Sequence, residues 1–217
     1  MVYLHLFDFD IRTSKDPVSF SQAIKSIDSI KWMDAMKDEM KSMDQNNVWE
    51  LIELLEGYKK VGSKWVFKAK RDSKGNIKQF KVRLVAKCFI QKEGIDYQET
   101  FSLVSKKDSL RIILALVAHY DLELHQMDVK TTFLNGSLEE DVCMDQPEGF
   151  SIKGKEHLTC KLKKSIYGLK QASQQWHLKF NNTITSFGFK ENTVDRCIYL
   201  KVSGSKFIFL ILYVDDI

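Results

Sequence analysis

The stretch from Lys59 to Lys92 constrains the fold most, because its charge has almost one sign and its apolar residues alternate with basic ones. It holds twelve lysines and arginines and a single acid, Asp72. The sequence "DSKGN", Asp72 to Asn76, has the composition of a tight turn. On either side of this turn, period-two alternation predicts two β-strands that share one apolar face and one basic face.

The alternation assigns the residues of each face. The apolar face comprises Trp65, Phe67, Ala69, Phe80, Val82, Leu84 and Ala86. The basic face comprises Lys64, Lys68, Lys70, Lys81, Arg83 and Lys87. A solvated surface is one interpretation, but solvated surfaces usually mix charges of both signs. A face of one sign suits a polyanion, since each cation on a phosphate releases a counterion. The candidate nucleic-acid contacts are Lys64, Lys68, Lys70 and Lys87.

Three further stretches have helical spacing. Trp32, Met36, Met40 and Met43 form an apolar stripe that is typical of core packing, with Ser29 as the predicted N-cap and Asn46-Asn47 as the stop. A second helix is predicted after Ser109 as N-cap, with the stripe Leu110, Ile113, Leu114 and Val117. A third contains Trp176, Phe180, Ile184 and Phe187, and Gly188 is expected to end it.

Several apolar or alternating stretches predict strands. They are "VWELIEL" (48–54), the alternating run Leu122–Val129, the run Cys197–Val202, and the terminal run Phe207–Val214, which is expected to be buried on both faces. A turn around Pro147 and Gly149 is also expected. Strands and helices do not alternate in a regular βαβ order, and two hairpins are predicted. The predicted fold class is therefore α+β.

Composition and motifs exclude other classes of protein. The 217 residues are 44% hydrophobic with a formal net charge of +4, which is ordinary for a globular chain. The four cysteines lack the CxxC spacing of a zinc site. No run of 18 apolar residues predicts a membrane span. The sequence contains neither GxGxxG, GxxxxGK[ST] nor GxSxG, so nucleotide folds and hydrolases with these signatures find no support.

Three acids stand where predicted strands end: Asp128, Asp215 and Asp216. Clustered carboxylates repel one another, and a divalent cation removes that cost. Carboxylate oxygens suit Mg²⁺. Two such ions about 4 Å apart stabilise the entering and leaving oxygens of a phosphoryl displacement. With a basic face nearby, the expected substrates are a nucleoside triphosphate and a polynucleotide end.

Several ordered blocks resemble a known family. "YVDD" (213–216) is similar to the polymerase signature of reverse transcriptases. Five further blocks resemble the reverse transcriptase of copia-type LTR retrotransposons. They are "KWVFKAKRDSKGNIKQFKVRLVAK" (64–87), "QKEGIDYQETFS" (91–102), "HQMDVKTTFLNG" (125–136), "MDQPEGF" (144–150) and "KLKKSIYGLKQA" (161–172). The resemblance runs from about residue 27 to the end of the chain.

The resemblance implies the fingers and palm of a right-hand polymerase, with an antiparallel palm sheet packed on helices and no thumb. Residues 1–27 are then a lead-in segment and residues 28–217 the reverse transcriptase domain. The fingers are expected mainly in residues 45–120 and 134–166, and the palm mainly in residues 121–133 and 167–217.

The resemblance also implies roles for individual residues. Asp128, Asp215 and Asp216 match the catalytic aspartates that hold two Mg²⁺ ions, or Mn²⁺ in their place. Phe133 matches the aromatic residue that excludes a 2′-hydroxyl and so selects dNTPs. Tyr167, Gly168 and Lys170 fall in the block that packs on the incoming nucleotide and the template. Lys81 and Arg83 are the candidates for triphosphate contact, and the choice between them is open.

The expected partners are an RNA or DNA template-primer, dNTPs and the remainder of a Pol polyprotein with RNase H and integrase, in the cytoplasm and in virus-like particles. The chain ends one residue after "YVDD", so the resemblance implies a domain truncated within the YxDD hairpin and inactive or nearly so. The alternative is a non-catalytic nucleic-acid-binding remnant of a transposon. Departures from the family pattern, such as Thr132, Ser173 and Gln174, favour that alternative.

Overall fold

The structure, a computed structural model, describes residues 16–54, 60–87, 105, 107–129, 131–138 and 140–213. The helices among these residues are α1 (Phe20–Lys25), α2 (Ser29–Gln45), α3 (Lys107–His119) and α4 (Ala172–Ser186), with a 3₁₀ helix at Thr132–Asn135. The strands are β1 (Trp49–Ile52), β2 (Lys60–Arg71), β3 (Ile77–Lys87), β4 (Cys143–Met144), β5 (Thr159–Leu162), β6 (Lys190–Glu191), β7 (Ile198–Ser203) and β8 (Lys206–Ile211). The α+β class predicted from the sequence is confirmed.

Five of these strands form a mixed sheet in the order β1-β5-β4-β2-β3. Strand β2 pairs with β4 in parallel, while β1 with β5, β4 with β5 and β2 with β3 are antiparallel. The sheet therefore joins the basic hairpin to β1, which precedes it, and to β4 and β5, which lie much further along the chain. Strand β3 lies at its edge.

The predicted hairpin is confirmed, with the predicted faces. Its turn is closed by the carboxylate of Asp72, which accepts hydrogen bonds from the backbone N–H groups of Lys74 (2.9 Å) and Asn76 (2.8 Å). Trp65 pairs with Leu84, and six residues of the apolar face are buried: Trp65, Phe67, Ala69, Val82, Leu84 and Ala86. Because side chains alternate across a strand, the basic residues point to the opposite face.

Helix α2 covers the apolar face of this hairpin. The indole of Trp32 packs edge-on against the rings of Phe67 (5.5 Å between centroids) and Phe80 (4.6 Å), and Met36 and Met43 are buried below it. The helix ends where predicted, since Asn47 adopts a left-handed conformation with φ +50°.

The two predicted N-caps are wrong. Ser29 is the first residue of α2, and Asp28 occupies the cap position without a side-chain cap hydrogen bond. Helix α3 begins at Lys107, so Ser109 lies inside its first turn. In both places helical backbone extends past the serine, because packing of the apolar stripe rather than a cap hydrogen bond decides how far the helix continues.

A second sheet, in the order β6-β7-β8, is antiparallel throughout, and α4 precedes it. The predicted end of α4 is confirmed, with Gly188 at φ +84°. The expectation that the terminal run is buried on both faces is wrong for its described part. Strand β8 pairs only with β7 among the described strands, and Phe207 and Ile208 are 38% and 56% exposed, because an edge strand lacks neighbours on one side.

The predicted strand at Leu122–Val129 is also wrong: these residues form no strand, and Met127 is 78% exposed. Alternation alone does not make a strand when no described neighbour pairs with it. After Asp128 the chain instead forms the 3₁₀ helix Thr132–Asn135. The turn expected around Pro147 is confirmed by the bond from the Phe150 N–H to the Pro147 carbonyl (3.0 Å).

One hydrophobic core runs through the described residues, from Ala23 in α1 to Leu212 after β8. It includes the apolar face of the hairpin, Phe133 and Leu134 in the 3₁₀ helix, and Trp176 in α4. Within the described ranges, none of the helices has the length and apolar composition needed to cross a bilayer.

Candidate active site

The basic face lies on the side of the β2–β3 hairpin that points away from the core. Lys68 stands directly opposite Lys81 in the register, and Arg83 opposite Val66. Lys64, Lys70 and Lys87 are exposed, whereas Lys68, Lys81 and Arg83 are half-buried. The alternation therefore predicted the basic face correctly. Within this face, the half-buried side chains of Lys81 and Arg83 lie in the middle of β3.

Three residues that the sequence placed far apart contact one another here. The guanidinium of Arg83 lies over the ring of Tyr167, 4.6 Å from its centroid. The same ring packs edge-on against Phe133, with centroids 5.0 Å apart and planes at 74°. Phe133 is only 8% exposed. A cation on an aromatic face and a T-shaped ring pair are both favourable, so Tyr167 links the hairpin to the 3₁₀ helix.

The backbone around Tyr167 fixes this arrangement. Its carbonyl accepts a hydrogen bond of 2.8 Å from the N–H of Ala86, at the outer edge of β3. The next residue, Gly168, has φ +91° and passes so close to β3 that a Cβ atom there would lie 2.3 Å from the Ala86 carbonyl oxygen. Only glycine fits both the conformation and the space. Lys170, two residues further on, is exposed.

The charges near this contact influence one another. Burial lowers the pKa of Lys81, Arg83 and Lys70 lower it further, and the carboxylates of Asp128 and Glu39 oppose the shift. Burial raises the pKa of Tyr167, and Arg83 opposes that rise. Asp128 is exposed, and its field reaches both Lys81 and Tyr167, so the structure brings this predicted residue close to the candidate phosphate contacts.

Glu39 is a residue of this site that the sequence interpretation missed. Its carboxylate accepts a hydrogen bond from the Leu84 N–H (3.3 Å), and burial raises its pKa while Arg83 and Lys81 oppose the rise. The signal was present: Glu39 follows Met36 by three residues and precedes Met43 by four, which places an acid on the apolar stripe of α2.

Two of the three predicted metal ligands, Asp215 and Asp216, lie outside the described residues. Within the described ranges, no group of three histidine, cysteine, aspartate or glutamate side chains is arranged to hold a metal ion. The metal assignment therefore stays a prediction. What the described residues provide is a cationic and aromatic surface suited to phosphates and a flat ring, with the carboxylates of Asp128 and Glu39 beside it.

Comparison with known proteins identifies the family. The family model described as reverse transcriptase (RNA-dependent DNA polymerase) matches residues 46–217. The chain is 46% identical over 207 residues to the "Retrovirus-related Pol polyprotein from transposon TNT 1-94" of Nicotiana tabacum, which covers 95% of this chain and 16% of that protein. It is 37% identical over 196 residues to the corresponding polyprotein from transposon RE1 of Arabidopsis thaliana, covering 90% of this chain and 13% of that protein.

A third relative is shorter. An uncharacterised mitochondrial protein of Arabidopsis thaliana is 39% identical over 100 residues, which is 46% of this chain and 57% of that protein. No solved structure matches the chain. The chain spans less than a fifth of each of the two polyproteins. On the family match and these identities, the chain belongs to the reverse transcriptase (RNA-dependent DNA polymerase) family, in its copia-type retrotransposon Pol branch.

Proposed function

We propose that this domain is an RNA-directed DNA polymerase that transfers nucleotidyl groups from dNTPs to a primer end. The observation that carries the proposal is the contact of Arg83, Tyr167 and Phe133 beside Lys81, within the electrostatic reach of Asp128. Cations for a triphosphate, aromatic rings for a nucleoside and a carboxylate for a metal ion are the groups that this reaction needs. They come from three separate parts of the sequence: the β2–β3 hairpin, the block 125–136 and the block 161–172.

Within this proposal each group has a role. Lys81 and Arg83 hold the triphosphate, whose negative charge would offset the repulsion between these two cations. Tyr167, Gly168 and Lys170 lie against the nucleotide and the template. Phe133 limits the space beside the sugar, because a buried ring locked against Tyr167 cannot move aside for a 2′-hydroxyl. The selection of dNTPs over NTPs then rests on one oxygen atom.

The metal ions would be held by Asp128, Asp215 and Asp216. The donor chemistry fits, because these are hard oxygen ligands and Asp128 is exposed and accessible to a cation. Bound there, two Mg²⁺ ions, or Mn²⁺, would stabilise the entering and leaving oxygens of an in-line displacement. The protein's own part is to keep Asp128 close to Lys81, so that the phosphate contacts and the carboxylate act on one substrate.

Nucleic acid would lie along the basic face and contact Lys64, Lys68, Lys70 and Lys87. We further propose that the domain works as part of a Pol polyprotein with RNase H and integrase, in cytoplasmic virus-like particles. The names of the relatives, which are Pol polyproteins from transposons, support the Pol polyprotein part of this proposal.

A polypeptide of these 217 residues alone is expected to extend primers slowly or not at all. Strand β8 leads toward Asp215 and has β7 as its single partner among the described strands. Catalytic carboxylates need to be held within about 0.5 Å of their working positions. A polypeptide that adds a strand along the open edge of β8 is therefore expected to be more active.

Primer extension on an RNA template with dNTPs and Mg²⁺ tests the proposal. In the extended polypeptide we expect Asp128→Asn to lower the rate about 100-fold or more, as for the loss of one group that stabilises the transition state. The matched control is Asp121→Asn, an exposed acid seven residues earlier, which should retain activity. Template binding without any Mg²⁺-dependent extension in the extended polypeptide would contradict catalysis and support the nucleic-acid-binding alternative.

A further inference from the structure

Glu39 is the acidic residue on the core-facing side of α2, and it precedes the residues that the family model matches. It is half-buried, while its neighbour Asp38 is exposed. A carboxylate loses hydration when it is buried, so its place on an apolar stripe is costly unless it has partners. Its partners lie on β3, at the centre of the candidate phosphate site.

The outer edge of β3 is held through the backbone N–H groups of two residues, Leu84 and Ala86. The Leu84 N–H donates to the Oε1 atom of Glu39 (3.3 Å), and the Ala86 N–H donates to the Tyr167 carbonyl (2.8 Å). Both N–H groups lie on the side of β3 that faces away from β2, where the described residues form no further strand of the sheet. Glu39 and Tyr167 thus fix the edge immediately after Lys81 and Arg83.

Glu39 also acts on these cations through its charge. The charged groups around Lys81 are Arg83, Lys70, Asp128 and Glu39. The charge of Glu39 raises the pKa of Lys81, and the charges of Arg83 and Lys81 lower the pKa of Glu39. A carboxylate beside two cations reduces their mutual repulsion and weakens the positive potential that an incoming phosphate meets.

We propose that Glu39 is a positioning residue for the phosphate site: it holds the Lys81–Arg83 segment of β3 at the edge of the sheet and offsets part of its positive charge. The phosphate role of this segment rests on the proposed function. The two parts of the role are separable, because glutamine retains an oxygen that accepts the Leu84 N–H but carries no charge, whereas alanine provides neither.

The first measurement is amide hydrogen exchange of Leu84 in the 217-residue chain. Glu39→Ala should speed its exchange roughly tenfold, the scale of one hydrogen bond to a charged group. Glu39→Gln should restore slow exchange, and the matched control Asp38→Ala should leave it unchanged. Equal exchange of Leu84 in all four proteins would overturn the backbone role.

The second measurement is the pKa of Lys81, followed by NMR of its ammonium group. Glu39→Gln removes a nearby negative charge and should lower this pKa, because the ammonium form loses a favourable neighbour. Asp38→Asn should not change it. A pKa of Lys81 that is identical in wild type and Glu39→Gln would overturn the electrostatic role.

Binding of inorganic tripolyphosphate, measured by calorimetry, separates this inference from the proposed function. Glu39→Gln should bind this anion about two- to five-fold more tightly, as expected for one unit charge at partly screened range. If Glu39→Gln binds tripolyphosphate more weakly than the wild type, or equally well, then Glu39 does not offset the positive charge of the Lys81–Arg83 segment. If the wild type does not bind tripolyphosphate while the effects on Leu84 and Lys81 persist, the proposed function fails and the positioning role stands.

Discussion

In the candidate active site the backbone of Gly168 passes close to strand β3. Substitution by alanine, which adds one methyl group, tests this close approach. Its φ of +91° is unfavourable for other residues, and an added Cβ would also collide with the Ala86 carbonyl and the Val85 side chain. We expect Gly168→Ala to lower the free energy of unfolding by the cost of a left-handed residue, about 1–2 kcal/mol, and by about 1–3 kcal/mol more for the overlap. Urea unfolding measures both.

The matched control is Gly75→Ala, in the hairpin turn. Gly75 has a similar φ of +84°, but nothing lies within 4 Å of the position that its Cβ would occupy. This variant should therefore lose only the conformational part, about 1–2 kcal/mol. Equal losses in the two variants would mean that Tyr167 and Gly168 do not pack on β3 as described.

At the same scale, the sequence identified some site residues and missed others for a physical reason. Arg83 was predicted from the alternation along the hairpin, Phe133 and Tyr167 were predicted from motif resemblance, and the structure brings the three together. Glu39 was missed because its partners are a backbone N–H and two cations that lie some forty residues away, and one-dimensional spacing does not encode such a contact. An acid on an apolar stripe was the available signal.

Among the secondary-structure elements, the basic hairpin carries the nucleic-acid proposal, and its charge can be removed without touching the core. We expect changing four lysines to glutamine to weaken RNA binding and to reduce the slope of log K against log salt by about 0.7 per lost phosphate contact on single strands. The four are Lys64, Lys68, Lys70 and Lys87. A salt titration of RNA binding, followed by fluorescence anisotropy, provides the slopes.

An equal change of charge elsewhere is the control for the hairpin. Four exposed lysines on the helices can be changed to glutamine together: Lys25, Lys37, Lys41 and Lys179. The net charge falls by the same amount, but the basic face remains intact. The same loss of slope in both variants would show that binding follows net charge alone and would contradict a specific role for the hairpin.

The elements that the sequence predicted well are those whose partners are close in the chain. The β2–β3 hairpin closes on its own turn, and its register follows from the alternation. The strand predicted at Leu122–Val129 failed because its pattern requires a partner from elsewhere in the chain, and no described strand pairs with it. The mixed sheet, with β4 between β2 and β5, was likewise beyond local patterns, since parallel pairing joins distant segments.

For the whole molecule, the central claim is that segments distant in sequence meet at one catalytic site. Among the described residues, Arg83, Tyr167 and Phe133 join the hairpin, the Tyr167 loop and the 3₁₀ helix, and the charge of Asp128 acts on Lys81. The claim also requires Asp215 and Asp216, which lie 87 and 88 residues beyond Asp128. The family membership is consistent with such a site, and only a direct measurement on this chain tests it.

The most direct measurement is a titration of the chain with Mn²⁺, followed by paramagnetic broadening of assigned NMR signals. We predict that the amide signals of Asp128, Asp215 and Asp216 broaden together at the lowest Mn²⁺ concentrations, and that Asp128→Asn weakens the effect at all three. Broadening at Asp215 and Asp216 with a sharp Asp128 signal would contradict a shared metal site, and with it the polymerase mechanism proposed for this domain.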